Sequence, residues 1–190
     1  MNRVAVDVDE VLMPLAQPLF KWARQRDPTI HKPMSRKYPY NYGVILNKSQ
    51  VDAQRLLYEF YDTQEFLDIQ PLLGAQLGVR ILKQRGKKLY VVTGRQYHVK
   101  NKTQWWIEKH FPNMFEDFVL TNSYTTMEIS KLKVCNDLDA DVLIDDNYFT
   151  CVQCQQGGVE AMNFVGTPMY PWCEPNPLAV KNWSKVCENL

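Results

Sequence analysis

The sequence predicts an α/β domain built on a parallel sheet with crossover helices. Three observations carry that expectation. Short, β-branched apolar runs alternate with helical patterns, breakers separate them, and three of the runs end in polar residues suited to one chemistry. Length and composition agree with it: 190 residues, 45% apolar and 23% charged, suit one domain with a small insertion. Such a chain can bury a core without metal or disulfide staples.

The first strand is residues 3–8, centred on Val4-Ala5-Val6. Residues 18–26 and 51–61 carry helical patterns, with Ser49 a candidate cap for the second. Between them lies a loop rich in Pro and Tyr, residues 33–42, which includes Arg36, Lys37, Tyr38, Tyr40 and Tyr42. A helix over 74–85 ends at the breaker Gly86 and feeds a second strand, Leu89-Tyr90-Val91-Val92. A helix over 100–110 stops at Phe111-Pro112, with the adjacent Trp105 and Trp106 facing core and surface separately. His110 is expected to cap that helix end, and none of His31, His98 and His110 has the spacing of a metal site. Phe118-Val119-Leu120 is a third strand, 130–138 a short helix capped by Ser130, 141–144 a fourth strand and 159–164 a fifth. The Pro-rich segment 166–177 is expected to be irregular and to wrap the core.

One interval is too long. About 80 residues separate the first two strands, far more than one crossover helix needs. Long irregular segments inside a domain are functional or disordered, and the aromatics here argue against disorder. Residues 14–71 are therefore expected to form a helical cap, with 1–13 and 72–190 as the core.

Composition and charge weigh against several function classes. No apolar run approaches the ~18 residues of a membrane span, and no signal peptide is evident, so a cytoplasmic protein is expected. A net charge of +1 with scattered basic residues gives nucleic-acid binding no support. The five cysteines, Cys135, Cys151, Cys154, Cys173 and Cys187, fit reduced thiols. The spacing of Cys151 and Cys154 suits half a zinc site, but the pair falls in a helical stretch without histidine nearby, so structural thiols are the default.

In a parallel sheet, sites form at the carboxyl ends of the strands. Strand one ends in Asp7-Val8-Asp9-Glu10, strand two in Thr93-Gly94-Arg95 and strand four in Asp145-Asp146, with Lys131 between the last two. Each alone is a weak signal, since acidic turns and Thr-Gly loop starts are common. In this order they resemble the four motifs of haloacid dehalogenase (HAD)-type phosphatases, across nearly the whole chain. The cap's position, together with Thr103-x-Trp105-Trp106 and His110-Phe111-Pro112, is similar to the 5'(3')-deoxyribonucleotidases and their less characterised relatives.

That resemblance implies a HAD-like Rossmannoid sheet flanked by helices, an aspartyl-phosphate mechanism and a Mg2+ cofactor. Asp7 is then the nucleophile, and Asp9 the acid that protonates the leaving oxygen and later activates water. Asp9 favours a phosphatase over a dehalogenase, which needs no such acid. The metal falls to Asp7, the backbone carbonyl of Asp9 and the Asp145-Asp146 pair, with Asp146 the direct ligand and Asp145 behind it. Two adjacent buried carboxylates also ask for a cation on their own account. Thr93, Gly94 and Lys131 fall to the phosphate, with Lys133 the alternative lysine. For Arg95, a phosphate clamp and a surface salt bridge are both open. Glu10 departs from the pattern, where glycine is usual: its side chain either alters the turn or points outward.

The cap favours a small substrate, and Phe20, Trp22, Tyr38, Tyr40 and Tyr42 offer flat surfaces for a base. Phe20 and Trp22 are equally suited to the cap's own core. A nucleoside monophosphate is the leading expectation. The alternatives are another small phosphate ester, a nucleic-acid 3'-phosphate met by Arg36 and Lys37, or a non-catalytic phosphate-binding module.

Overall fold

The computed structural model describes residues 1–30, 37 and 39–190. His31, Arg36 and Tyr38 lie outside the described residues. Six strands, β1 (Arg3–Val6), β2 (Lys88–Thr93), β3 (Asp117–Leu120), β4 (Val142–Asp145), β5 (Glu160–Phe164) and β6 (Ala179–Val180), form one sheet in the order β3-β2-β1-β4-β5-β6. Every pairing is parallel. β1 lies in the middle, and Val4, Ala5 and Val6 are all fully buried. Its apolar run does not alternate because both faces of the sheet are covered. Val4 and Val6 join the larger core, and Ala5 joins a smaller one on the opposite face.

The strand order reverses between β1 and β4, which is where an open α/β sheet leaves a crevice. Val6 pairs with Val91 of β2 and with Ile144 of β4. Asp7 and Asp145 therefore leave the sheet side by side, with Asp7 N–H donating to Ile144 O at 3.0 Å.

Nine α-helices accompany the strands among the described residues: α1 (Ala16–Arg26), α2 (Tyr42–Leu46), α3 (Gln50–Phe60), α4 (Gln64–Leu67), α5 (Ala75–Gln84), α6 (Lys100–His110), α7 (Lys131–Asp137), α8 (Tyr148–Gln156) and α9 (Trp183–Asn189). Ser49 caps α3 by accepting from Asp52 N–H, and Ser130 caps α7 by accepting from Lys133 N–H, both at 3.1 Å. Trp106 is fully buried, donating to Ile69 O at 2.8 Å, whereas Trp105 is exposed. His110 ends α6 and packs on Trp106, but its buried Nε2 has no partner among the described residues, so it supplies no capping hydrogen bond through that atom.

Helices α1 to α4 fill the long interval between β1 and α5. Leu19, Phe20 and Trp22 of α1 share the larger core with the sheet residues. The segment 166–177 has no helix or strand, and Tyr170 and Cys173 bury themselves against the core from it. Elements α2, α4, β6 and α9 were not expected from the sequence. The first three span five, four and two residues, too few to show a period. Helix α9 docks through Trp183: a Cβ on Gly78 of α5 would lie 2.5 Å from its indole, so glycine is what admits the ring.

Candidate active site

Past β1 the chain turns sharply. The N–H groups of Leu12 and Met13 both donate to Val8 O at 2.9 Å. Three carbonyls of this turn are then taken by distant parts of the fold. Glu10 O accepts from Tyr170 OH, Val11 O from Trp183 Nε1 and Leu12 O from Leu72 N–H, each at 2.8 Å. Buried carbonyls need partners, and here the partners brace the turn that carries Asp7 and Asp9.

Glu10 is part of the brace. Its φ is 58°, a left-handed backbone that explains why glycine suits this position. The outward side chain is not what the fold contains. Glu10 is buried, and its Oε1 accepts Ala16 N–H at 2.6 Å, satisfying a free donor at the start of α1. Burial pushes its carboxyl up to about 8, against the pull of that N–H.

Asp7 is buried, with Oδ1 accepting Val8 N–H at 2.7 Å and Oδ2 lying 2.9 Å from Lys131 Nζ. Lys131 opens α7 and also donates to Asp145 Oδ2 at 2.6 Å. Burial opposes its charge, but Asp145 and Asp7 outweigh that and hold its pKa above the ordinary lysine range. Lys133 points elsewhere: its Nζ lies 2.6 Å from Asp137 on the exposed face of the same helix.

The two adjacent aspartates at the end of β4 differ in their surroundings. Asp145 has both oxygens occupied, Oδ2 by Lys131 and Oδ1 by Asn147 N–H at 2.9 Å. Asp146 Oδ2 accepts Trp172 Nε1 at 2.9 Å and Oδ1 accepts Tyr40 OH at 3.3 Å. Behind them, the buried Asn163 amide donates to Asp145 O at 3.2 Å and Asp146 O at 2.9 Å, fixing the backbone of the pair. Burial, and then Asp145, raise the Asp146 carboxyl well above its usual range; burial also raises Asp7 despite Lys131.

Asp9 and Arg95 form an ion pair at the site. Arg95 does not make a surface salt bridge: its side chain is 1% exposed, and Nη2 lies 2.6 Å from Asp9 Oδ1. Thr93 is fully buried at the end of β2 and does not line the cavity; its Oγ1 accepts Arg95 N–H at 3.4 Å. Gly94 does line the cavity, and a Cβ there would lie 3.1 Å from Ser123 Oγ, so the close approach is to Ser123.

A cavity of about 330 Å³ opens above these groups. Its floor holds Asp7, Asp9, Lys131, Asp145 and Asp146, and its walls include Tyr40, Tyr42, Leu57, Tyr61 and Trp172. Trp22 does not line it. That ring is buried in the core, 5.5 Å from Phe60 and under the Arg26 guanidinium at 3.9 Å, so the substrate role expected for Trp22 is corrected to a packing role. Phe20 is likewise core. Lys37 donates to Cys173 O at 3.0 Å and pairs with Glu174 rather than facing the cavity floor.

The residues present fit a dication. Asp7, Asp145 and Asp146 are buried and offer ligand oxygens within 4.8 Å of one another. Among the described residues Lys131 is the single lysine lining the cavity and Arg95 is paired with Asp9, so the three carboxylates meet less positive charge there than they carry. The hard oxygen donors suit magnesium. No cysteine enters such a cluster among the described residues: all five are buried and free.

Sequence reasoning missed Asn163, Trp172, Tyr170 and Ser123. Trp172 and Tyr170 lie in a Pro-rich stretch without periodicity, and Asn163 sits inside a strand, so none carried a local signal.

No protein-family profile matches this chain, and neither does any curated protein sequence. Solved structures do match its shape. A predicted phosphatase from Clostridium acetobutylicum superposes with a TM-score of 0.70 at 13% identity, over 99% of this chain and 97% of that one. A HAD family hydrolase from Deinococcus radiodurans R1, with bound phosphate and sodium, gives 0.68 at 10% identity, over 98% and 93%. A predicted phosphoglycolate phosphatase from Haemophilus somnus 129PT gives 0.65 at 11% identity, over 100% and 97%. The parallel sheet and its flanking helices are thus the HAD-like Rossmannoid fold. No helix is long and apolar enough to cross a membrane among the described residues.

Proposed function

We propose that this chain is a magnesium-dependent phosphomonoester hydrolase that acts through an aspartyl-phosphate on Asp7, with a nucleoside monophosphate as substrate. The observation that carries the reading is the Asp7–Lys131 contact at the end of the central strand, beside the Asp145-Asp146 pair. In the first step an oxygen of Asp7 bonds to phosphorus while the bond to the leaving oxygen breaks. The leaving oxygen takes a proton from Asp9, which enters this step as the acid after taking that proton from solvent, its oxygens still accepting from Arg95. Water then attacks the phosphorus of the aspartyl-phosphate, giving its proton to Asp9, and phosphate leaves with Asp7 restored. Lys131 and the backbone of Gly94 face the phosphoryl oxygens, and Lys131 offsets charge as the transition state forms. Thr93, expected on the phosphate, instead accepts Arg95 N–H from behind the cavity lining and would steady the loop that carries Gly94.

Asp7, Asp146 and the Asp9 carbonyl would hold magnesium, with Asp145 behind them tied to Lys131. When bound, the ion offsets the repulsion between the Asp7 carboxylate and the phosphate.

Residues 14–71 serve as the cap that selects substrate. Tyr40, Tyr42 and Tyr61 line a cavity of about 330 Å³, within the range of small-molecule sites, and their rings offer surfaces for a base. A small phosphate ester is the competing reading, favoured by the phosphoglycolate phosphatase among the structural neighbours. A panel of deoxynucleoside monophosphates, phosphoglycolate and p-nitrophenyl phosphate, assayed with magnesium and with EDTA, tests both. Highest kcat/KM on a nucleotide with loss in EDTA supports the proposal. Preference for phosphoglycolate replaces the substrate, and full turnover in EDTA removes the metal.

A further inference from the structure

We propose that Arg95 is the positioning residue for Asp9. The proposal rests on the reading of Asp9 as the group that exchanges a proton with the leaving oxygen and with water. Arg95 holds Asp9 by both oxygens, Nε donating to Oδ2 at 3.1 Å and Nη2 to Oδ1 at 2.6 Å. Two parallel bonds from a planar guanidinium fix the plane of the carboxylate as well as its place.

The arginine is itself held on every side. Nη1 donates to Thr103 Oγ1 at 3.0 Å, and that hydroxyl donates to Val99 O at 2.9 Å, anchoring the fork to α6. Nη2 also lies 2.9 Å from Met13 Sδ, on the turn after β1. The guanidinium carbon lies 5.1 Å from the centre of the Tyr61 ring and 5.6 Å from that of Phe66, both contributed by the insert between β1 and α5. Arg95 thus has no freedom to follow Asp9 if the carboxylate swings; it defines where Asp9 rests.

Exposure divides the pair. The Arg95 side chain is 1% exposed and that of Asp9 20%, so the arginine stands behind and the carboxylate meets the cavity. Stability gives little reason for this arrangement, because an apolar pair of equal volume is often as stable as a buried ion pair. Orientation gives one. A group that transfers protons must lie within hydrogen-bond reach of the reacting oxygen, and Asp9 sits on a turn, where a side chain left unpaired would sample several rotamers.

A double-mutant cycle tests the proposal. Wild type, Asp9→Asn, Arg95→Met and the double variant would be compared in kcat/KM on ethyl phosphate and on p-nitrophenyl phosphate. Arg95→Met alone should cost on the order of 100-fold on ethyl phosphate, whose leaving oxygen needs a proton, and less on the nitrophenyl ester. In the Asp9→Asn background the same change should cost no more than about threefold, because a residue acting through Asp9 is silent once Asp9 is gone. The ratio of the two substrates within one enzyme is independent of the folded fraction. If Arg95→Met does not fold, Arg95→Lys, which keeps the charge and loses the fork, is read in the same cycle. Equal factors in both backgrounds, or wild-type activity in the Arg95 variants, would overturn the positioning role and leave the phosphatase reading standing. Wild-type activity of Asp9→Asn would overturn the role of Asp9 and the proposal with it.

Discussion

Lys131 Nζ lies 2.9 Å from Asp7 Oδ2, and the two side chains are 11% and 5% exposed. Lys133, two residues on, is paired with Asp137 at the surface. Lys131→Ala should therefore lower kcat on the order of 100-fold or more, the usual cost of removing a transition-state charge partner. Lys133→Ala should change kcat by no more than about twofold, as expected for an exposed pair. Steady-state kinetics on both variants would check the ranking. The reverse order would mean that the phosphate meets a different part of α7.

Tyr42 lines the cavity and meets Phe20 edge-on at 6.1 Å, so its ring is braced from behind. If that ring stacks on a base, Tyr42→Ala should cost a nucleotide about 1–3 kcal/mol in kcat/KM and leave p-nitrophenyl phosphate nearly untouched. Remote binding of this kind orients the phosphate without touching it. Tyr40 differs, because its hydroxyl donates to Asp146. Tyr40→Phe keeps the ring and loses that bond, so it should affect all substrates alike through Asp146. Measuring kcat/KM for both variants on a nucleotide and on the nitrophenyl ester separates the effects. Equal losses by Tyr42→Ala on both esters would end the stacking account.

Glu10 combines a left-handed backbone with a buried hydrogen bond to Ala16 N–H. Glu10→Ala keeps the unfavourable φ and leaves that N–H unsatisfied, which should destabilise the fold by about 1–2 kcal/mol. Glu10→Gly loses the same bond but relaxes the backbone, so it should be the milder variant by about 1 kcal/mol. Urea titrations of the two proteins give the order directly. A glycine variant less stable than the alanine one would show that φ at this turn is not the deciding factor.

The sequence announced the frame of this fold through composition and period. β1 and β2 are buried on both faces, so their residues read as uninterrupted apolar runs, and the caps Ser49 and Ser130 stand where capping chemistry requires them. The acidic strand ends were legible because Asp7 and Asp145-Asp146 each follow such a run. What stayed hidden was pairing at long range. The Arg95–Asp9 fork joins residues 86 apart in sequence, and nothing local distinguishes it from a phosphate clamp. The same holds for Trp172 and Asn163, which meet the acidic pair only once β5 and the following tail are in place. Trp22 shows the opposite error: an aromatic in the insert suited a base as well as it suited a core. Only burial against Phe60 and Arg26 separates the two.

Asp7 as the nucleophile is tested most directly by the kcat of Asp7→Asn against the best substrate of wild type, in saturating magnesium. The amide is close in shape, so the variant should keep its fold, with a melting transition near that of wild type. It is a poor nucleophile and a poor metal ligand, so kcat should fall by on the order of 10⁴-fold or more. A folded Asp7→Asn enzyme turning over within about tenfold of wild type would contradict the aspartyl-phosphate mechanism.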